Sequence, residues 1–131
     1  MSDYKLLING KLVNSSTGKT SDDISPVTGE TLAQVPETTL DDMNSAVAAA
    51  RAAFDDGRWS GLPHAARAAT LEKLASLIEA NAGEIAELES KDAGKPIKLA
   101  RDSDIPFAAD NFHFFAGAAR NLAGTASNEY T

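Results

Sequence analysis

The sequence lacks cysteine altogether, and its 131 residues carry few bases. Without cysteine, these residues cannot form disulfides, thiolate metal sites or a cysteine nucleophile. Twelve lysines and arginines stand against nineteen acids, which gives a net charge of -7. Because such a negative field repels polyanions, we expect no nucleic-acid partner.

Long apolar runs are also missing. No stretch approaches the roughly 18 apolar residues of a membrane span, and the opening "MSDYKLLING" lacks the basic and apolar regions of a signal peptide. We therefore expect a cytoplasmic protein without a membrane partner. The content of 43% apolar and 24% charged residues is typical of one soluble globular domain with a hydrophobic core.

Strand and turn signals fill the first third of the chain. Asn9-Gly10 separates two short apolar runs in "YKLLINGKLVNSS", which predicts a β-hairpin over residues 4–14. The segment "DDISPVTGETLAQVP" predicts two further extended stretches around a turn at residues 26–29, with Pro36 closing the second.

Helical periodicity begins at Thr39, a predicted N-cap followed by Asp41 and Asp42 at the positive helix end. Its expected core stripe is Met43, Val47, Ala50 and Phe54. A second helix is predicted from about His64 to Ala80, with its buried stripe at Leu71, Leu74, Leu77 and Ile78.

Two more helices are predicted towards the end of the chain. Asn81 and Glu84 resemble a capping box for a short helix that ends near Gly94 and Pro96. The last helical stretch should run from about Pro96 to Ala123, with an interruption near Asp104 and Pro106.

The stretch "RDSDIPFAADNFHFF" carries two separate stripes of this last helix. One, assigned to the core, contains Ile105, Ala108, Phe112, Phe115, Ala119 and Leu122. The other contains Asp104, Phe107, Asn111 and Phe114. The second stripe is either a capping aspartate beside aromatics that complete the core, or the wall of a pocket for a small cation. Periodicity leaves both readings open.

Other familiar sites find no support in the residues. His64 and His113 lie far apart without a serine or cysteine pattern, so solvent-facing or locally hydrogen-bonded roles are expected for both. Glu84, Glu87 and Glu89 are typical of a solvated helix face. Phosphate loops of the GxGxxG and GxxxxGK[ST] types are absent, and "GRWSG" lacks the spacing of a G-x-S-x-G elbow.

Several ordered segments together carry a resemblance to a known family. They are "LLINGKLV", "SPVTGETLAQVP", "AVAAARAAF", "LEKLASLIEANAGEIAELESKDAGKP" and "FHFFAGAARNLAG". In this order the chain resembles the amino-terminal part of NAD(P)-dependent aldehyde dehydrogenases, most nearly those acting on γ-aminobutyraldehyde and betaine aldehyde. The resemblance implies an α/β, Rossmann-like fold, of which residues 1–131 would supply the first strands and a cluster of helices in the cofactor-binding domain.

The resemblance also implies a reaction that this segment does not complete. In the family a cysteine thiolate attacks the aldehyde, NAD or NADP takes the hydride, and a glutamate activates water. Neither the cysteine nor the glutamate motif occurs here, so the segment alone is expected to be inactive and to bind no cofactor. A homodimer or homotetramer is expected for the full-length enzyme. The alternative hypothesis is a non-catalytic truncated paralogue that associates with a full-length subunit.

Two partial sites follow from the same resemblance. Ser103, Asp104 and Phe107 match positions that line the aldehyde tunnel, and Asp104 is similar to a residue that recognises cationic aldehydes. Asp23, Ile24 and Asp92 match the positions that hold a monovalent cation, K+ or Na+, in some relatives. For Asp92, a solvent-exposed place at a helix end is the equally weighted alternative.

Overall fold

The computed structural model describes residues 2–121, in which short strands precede a group of helices. The strands are β1 (Ser2–Asp3), β2 (Leu6–Ile8), β3 (Lys11–Val13), β4 (Thr20–Ile24) and β5 (Thr31–Pro36). The helices are α1 (Leu40–Asp55), α2 (His64–Ala80), α3 (Ala82–Ala93), α4 (Ile97–Leu99), a π-helical segment (Ala100–Asp104) and α5 (Ile105–Arg120). The predicted order of hairpin, short strands and helices is confirmed.

The hairpin forms where the Asn-Gly signal predicts it. Strands β2 and β3 pair antiparallel, with Leu7 opposite Leu12. Asn9 and Gly10 have φ angles of 51° and 73°, the left-handed conformation that these residue types adopt most readily in a two-residue turn. Local turn chemistry therefore fixes this register.

A second sheet has three strands in the order β1-β5-β4, with β5 in the middle. The predicted pair of β4 and β5 is antiparallel, and its register shifts between Asp23 and Ile24. Strand β1 pairs parallel to β5 and was not predicted, because a two-residue strand carries no periodic signal.

Small side chains form the core of the helical part. Ala86, Ala100 and Ile105 are buried together, with Ile78 and Ile85 packed against them. Helices α2 and α5 pack against each other and bury alanines two turns apart, namely Ala68, Ala75, Ala109 and Ala116. Alanines at this spacing let two helix backbones approach closely.

The predicted core stripes are only partly correct. Ile105 is buried and Phe112 and Ile78 are half-buried, but Phe115, Leu74 and Leu77 are exposed. The α1 stripe is wrong for this chain, because Met43, Val47, Ala50 and Phe54 all face solvent. Periodicity identifies an apolar face correctly, but it does not reveal whether another element covers that face. Leu122 and the predicted helix end at Ala123 lie outside the described residues.

Helices begin at Ala82 and Ile105 as predicted, but the two predicted side-chain caps are wrong. Asn81 forms no capping box, because its side-chain amide donates to the Leu77 carbonyl at 2.7 Å and ends α2 instead. Asp104 does not cap a new helix either: the chain stays helical, and the Ile105 amide donates to the Ala100 carbonyl across a π-helical turn. This wider turn makes room for Pro106, whose ring would clash in a regular helix interior.

Asp42 joins the strand region to α1. Its carboxylate accepts the amide of Thr39 at 3.0 Å and the amide of Ser16 at 3.2 Å, while the Thr39 hydroxyl accepts the Asp42 amide. Thr39 therefore caps α1 as predicted, with the reciprocal bond of a capping box. The backbone hydrogen bond from Thr39 is the main cause that lowers the pKa of Asp42 to about 2.

We expect Asp42→Asn to lower the melting temperature at neutral pH. The contribution of the carboxylate is present above its unfolded pKa, near 3.8, and is lost as the pH falls through the folded value near 2. The difference in melting temperature between the native protein and the variant should therefore become smaller at acidic pH. Asp41→Asn is the matched control, since Asp41 is also acidic and in the first turn. Equal losses for the two variants at neutral pH would contradict this role.

His113 links α5 to α2 through two carboxylates. Its Nδ1 lies 2.6 Å from Glu72 Oε2 and its Nε2 lies 3.4 Å from Glu79 Oε1. The hydrogen bond to Glu72 is the largest cause that raises the pKa of His113 above its usual value. His113 is hydrogen-bonded as expected, but its partners are distant in sequence and not local.

This arrangement predicts a stability change on the alkaline side. A raised folded pKa means that the His113 contribution is complete below the unfolded pKa, about 6.5, and disappears as the pH rises through the folded value. Melting temperatures of the protein and of His113→Gln should therefore converge as the pH rises from below about 6.5 through the raised folded pKa of His113. A constant gap across this range would contradict the prediction.

A search of the described helices finds none that is long and apolar enough to cross a membrane.

Candidate functional site

One cleft collects the three residues predicted to hold a monovalent cation. A cavity of about 800 Å³ lies between the β4–β5 pair and α3, and Asp23, Ile24 and Asp92 are all among its lining residues. Apolar side chains such as Leu32 and Leu88 make up much of the remaining wall. Residues nearly seventy positions apart in sequence are thus brought to one cavity.

The three predicted ligands offer oxygen atoms as donors, and Lys91 also lines the cleft. Asp23 and Asp92 bring carboxylates, and Ile24 lies where the strand register shifts. Oxygen donors suit hard cations such as Na+ and K+. Within residues 2–121, no group of three or more histidine, cysteine or acidic side chains could hold a metal ion. Asp92 is exposed at the end of α3, as its solvent-exposed alternative describes, and its role as a cation ligand stays a prediction.

Gly94 holds the end of α3 against the β4–β5 turn. It ends α3 in the left-handed conformation with φ of 67°, as the sequence predicts for a helix-ending glycine. A Cβ atom at this position would lie 2.9 Å from Pro26 Cγ and 3.5 Å from Val27 Cγ2. The close approach of turn and helix end therefore depends on a residue without a side chain.

Asp104 belongs to a cluster of three charged groups. Lys95 Nζ lies 2.6 Å from Asp104 Oδ2 and 2.9 Å from Glu89 Oε1. The hydrogen bond to Asp104, followed by the one to Glu89, raises the pKa of Lys95 above its usual value. The three side chains are between 30% and 40% exposed, so solvent still reaches this ion cluster.

The end of α3 positions Lys95, and the π-helical segment positions Asp104. Lys95 follows Gly94 directly, and its carbonyl accepts the Ser90 hydroxyl at 2.7 Å, which ties Lys95 to the end of α3. Asp104 is the last residue of the π-helical segment. Glu89 also lines the cleft that contains Asp23 and Asp92, so the ion cluster adjoins the cation cleft.

The other two predicted tunnel residues lie on the same continuous helical stretch. Ser103 is exposed in the π-helical segment, and Phe107 is 69% exposed in the first turn of α5. Phe114, on the same predicted stripe as Phe107, is also exposed and makes an edge-to-face contact with Phe115 at 5.3 Å between ring centroids. The aromatics of this stripe thus form an open surface and do not complete a core in the described part of the chain.

Sequence reasoning missed Lys95 and Glu89 as partners of Asp104. Glu89 was predicted to belong to a solvated face, yet it is half-buried and paired. Lys95 lies six residues after Glu89 and nine residues before Asp104, and these separations match no helical repeat because α3 ends at Gly94 and the chain turns there. The one sequence feature that indicates this pairing is a lysine directly after a helix-ending glycine.

A dinucleotide site is not formed by residues 2–121 alone. No strand in this range leads through a glycine-rich loop into a helix, the arrangement that binds a dinucleotide pyrophosphate.

Comparisons with known proteins place the chain in a family. The profile of the aldehyde dehydrogenase family matches residues 12–131. Aldehyde dehydrogenase 1 of Tanacetum cinerariifolium is 48% identical over 120 residues, covering 92% of this chain and 24% of that protein.

Solved structures give the same result for the fold. NAD-dependent aldehyde dehydrogenase from Sinorhizobium meliloti superposes with a TM-score of 0.90 at 43% identity, covering 99% of this chain and 26% of that one. γ-Glutamyl-γ-aminobutyraldehyde dehydrogenase from Burkholderia cenocepacia also gives a TM-score of 0.90, at 40% identity, covering 95% of this chain and 25% of that one.

These similarities confirm the expected fold class. The strands and helices of this chain correspond to the amino-terminal part of the Rossmann-like α/β fold of such enzymes. The chain spans about a quarter of the length of the relatives that it matches. The chain belongs to the aldehyde dehydrogenase family.

Proposed function

We propose that the polypeptide carrying this chain oxidises an aldehyde to the carboxylic acid with NAD or NADP. In this reaction aldehyde, water and oxidised cofactor give acid, reduced cofactor and a proton. The observation that carries the proposal is the superposition of 99% of the chain on an NAD-dependent aldehyde dehydrogenase at 43% identity. NAD, when bound, supplies the hydride acceptor.

Residues 1–131 are assigned to the amino-terminal part of the cofactor-binding domain. This segment supplies strands, helices and a stretch of the substrate path, while the reacting groups come from elsewhere in the polypeptide. It contains no cysteine that could attack an aldehyde. We expect the segment alone to be inactive and the complete enzyme to be a homodimer or homotetramer.

The proposed substrate is a cationic aldehyde of the γ-aminobutyraldehyde or betaine aldehyde type. Ser103, Asp104 and Phe107 would line its path, with the carboxylate of Asp104 facing the positive group and the exposed ring of Phe107 beside it. A similar structure is named for γ-glutamyl-γ-aminobutyraldehyde, an amide derivative of γ-aminobutyraldehyde, which supports the length of the proposed carbon chain.

A monovalent cation, K+ or Na+, is proposed for the cleft beside α3. Asp23, Ile24 and Asp92 would be its ligands from this chain, since all three line the same cavity and offer oxygen donors. There it would fix the end of α3 relative to the β4–β5 turn.

The proposed reaction is tested by mixing the complete polypeptide with NAD, or NADP, and an aldehyde. Formation of reduced cofactor should match formation of the carboxylic acid one for one, and the segment of residues 1–131 should give neither product. No cofactor reduction with any of a panel of cationic and neutral aldehydes would contradict the proposed function.

A further inference from the structure

The ion cluster of Lys95, Glu89 and Asp104 carries one excess negative charge. Two carboxylates share a single ammonium group, at 2.9 and 2.6 Å. The neighbouring cation Arg101 is engaged elsewhere, because its Nε lies 2.7 Å from Asp102 Oδ1. Lys95 is therefore the group that neutralises Asp104 in the described part of the chain.

We propose that Lys95 is a specificity-determining residue that competes with a cationic aldehyde for Asp104. The inference rests on the proposed function, in which Asp104 faces the substrate. Since one carboxylate oxygen of Asp104 is already bound to an ammonium group, an incoming cation must share or displace this partner. Lys95 thus reduces the preference for cationic over neutral aldehydes.

The geometry allows Lys95 to exchange partners. Glu89 Oε1 is 2.9 Å from the same nitrogen, so Lys95 keeps one carboxylate when it leaves Asp104. The carbonyl of Lys95 is held by Ser90, which confines the movement to the side chain. Partial exposure of the cluster lets water replace the lost hydrogen bond, so the exchange needs no unfolding.

The test uses the complete polypeptide and a matched pair of substrates. The pair is betaine aldehyde and its neutral isostere, in which carbon replaces the quaternary nitrogen. The readout is the ratio of their kcat/KM values, because a ratio cancels the fraction of active protein. Lys95→Met should raise the ratio in favour of the cation about fivefold, the scale of one partly exposed ion pair.

Three variants serve as controls. Lys95→Arg keeps a positive partner for Asp104 and should leave the ratio nearly unchanged. Lys91→Met removes a lysine whose Nζ lies 3.6 Å from Glu87 on the same helix, and should also leave it unchanged. In a background of Asp104→Asn, the gain from Lys95→Met should vanish. If Lys95→Met does not fold, Lys95→Gln is measured in the same way.

The outcomes separate this inference from the function on which it rests. An unchanged ratio in Lys95→Met, while Asp104→Asn alone lowers it, overturns the role of Lys95 only. No change in either variant overturns the contact between Asp104 and the substrate. An equal gain in Lys91→Met, or a gain that survives Asp104→Asn, would show a general charge effect and overturn the competition.

Discussion

Replacing Asp104 with asparagine is expected to lower kcat/KM for betaine aldehyde by about fivefold to 150-fold. One charge-assisted contact contributes roughly 1–3 kcal/mol, which corresponds to this range. Asparagine has nearly the same shape but no charge, and it leaves Lys95 with Glu89 as its one remaining acid in the cluster. The cluster then changes from one excess negative charge to none, so its attraction for a cation is lost.

The neutral isostere of betaine aldehyde provides the comparison. Its kcat/KM should change little in Asp104→Asn, because the contact that is lost involves only the positive charge. Asp102→Asn is the matched control, since Asp102 lies in the same π-helical segment and is paired with Arg101. Equal losses on both substrates would show that Asp104 does not recognise the cation.

Replacing Gly94 with alanine is expected to destabilise the contact between α3 and the β4–β5 turn by about 2 kcal/mol. The left-handed φ of 67° disfavours any residue with a Cβ, and the new methyl group would approach Pro26 Cγ to 2.9 Å. The end of α3 must shift, and with it Lys95 and Asp92. Backbone amides of α3 and of the turn should exchange hydrogen faster in the complete polypeptide.

Gly117→Ala is the control for this substitution. Gly117 lies inside α5, its Cβ would meet no atom within 4 Å, and its φ is not positive. Alanine should therefore keep or improve stability there, by up to about 1 kcal/mol. Similar hydrogen-exchange rates in the two variants would contradict the special role of Gly94.

Local signals predicted most of the secondary structure. The Asn9-Gly10 turn, the Thr39 cap and the Gly94 stop each act through the conformation of one or two residues, so the sequence alone is enough to find them. The helix from His64 to Ala80 agrees with the structure at both ends. The side-chain caps expected at Asn81 and Asp104 are wrong because the chain offers other hydrogen bonds there, whereas Pro106 lies in the first turn of α5 as predicted.

Burial depends on the surroundings and was therefore predicted less well. Val47 and Phe54 on α1 are more than 60% exposed, although their periodicity is that of a core stripe. The relatives are about four times as long as this chain, and an exposed apolar face of this kind is typical of a surface that another part of a protein covers. An amphipathic pattern shows that one face of a helix is apolar, but it does not show which element covers that face.

The candidate sites also contain some residues that could be predicted from the sequence and others that could not. The resemblance singled out Asp104 and the set of Asp23, Ile24 and Asp92, and the structure brings the latter three to one cleft. Lys95 and Glu89 could not be found in this way, because their proximity to Asp104 depends on the turn after Gly94 and on the π-helical segment.

A competition experiment tests whether the complete polypeptide oxidises aldehydes and prefers a cationic one. The complete polypeptide is given NAD, or NADP, and equal concentrations of betaine aldehyde and its neutral isostere, and the two carboxylic acids are quantified. The product ratio equals the ratio of the kcat/KM values. We expect both acids to form, with the acid from the cationic aldehyde in excess. Absence of both acids, or an excess of the neutral one, would contradict it.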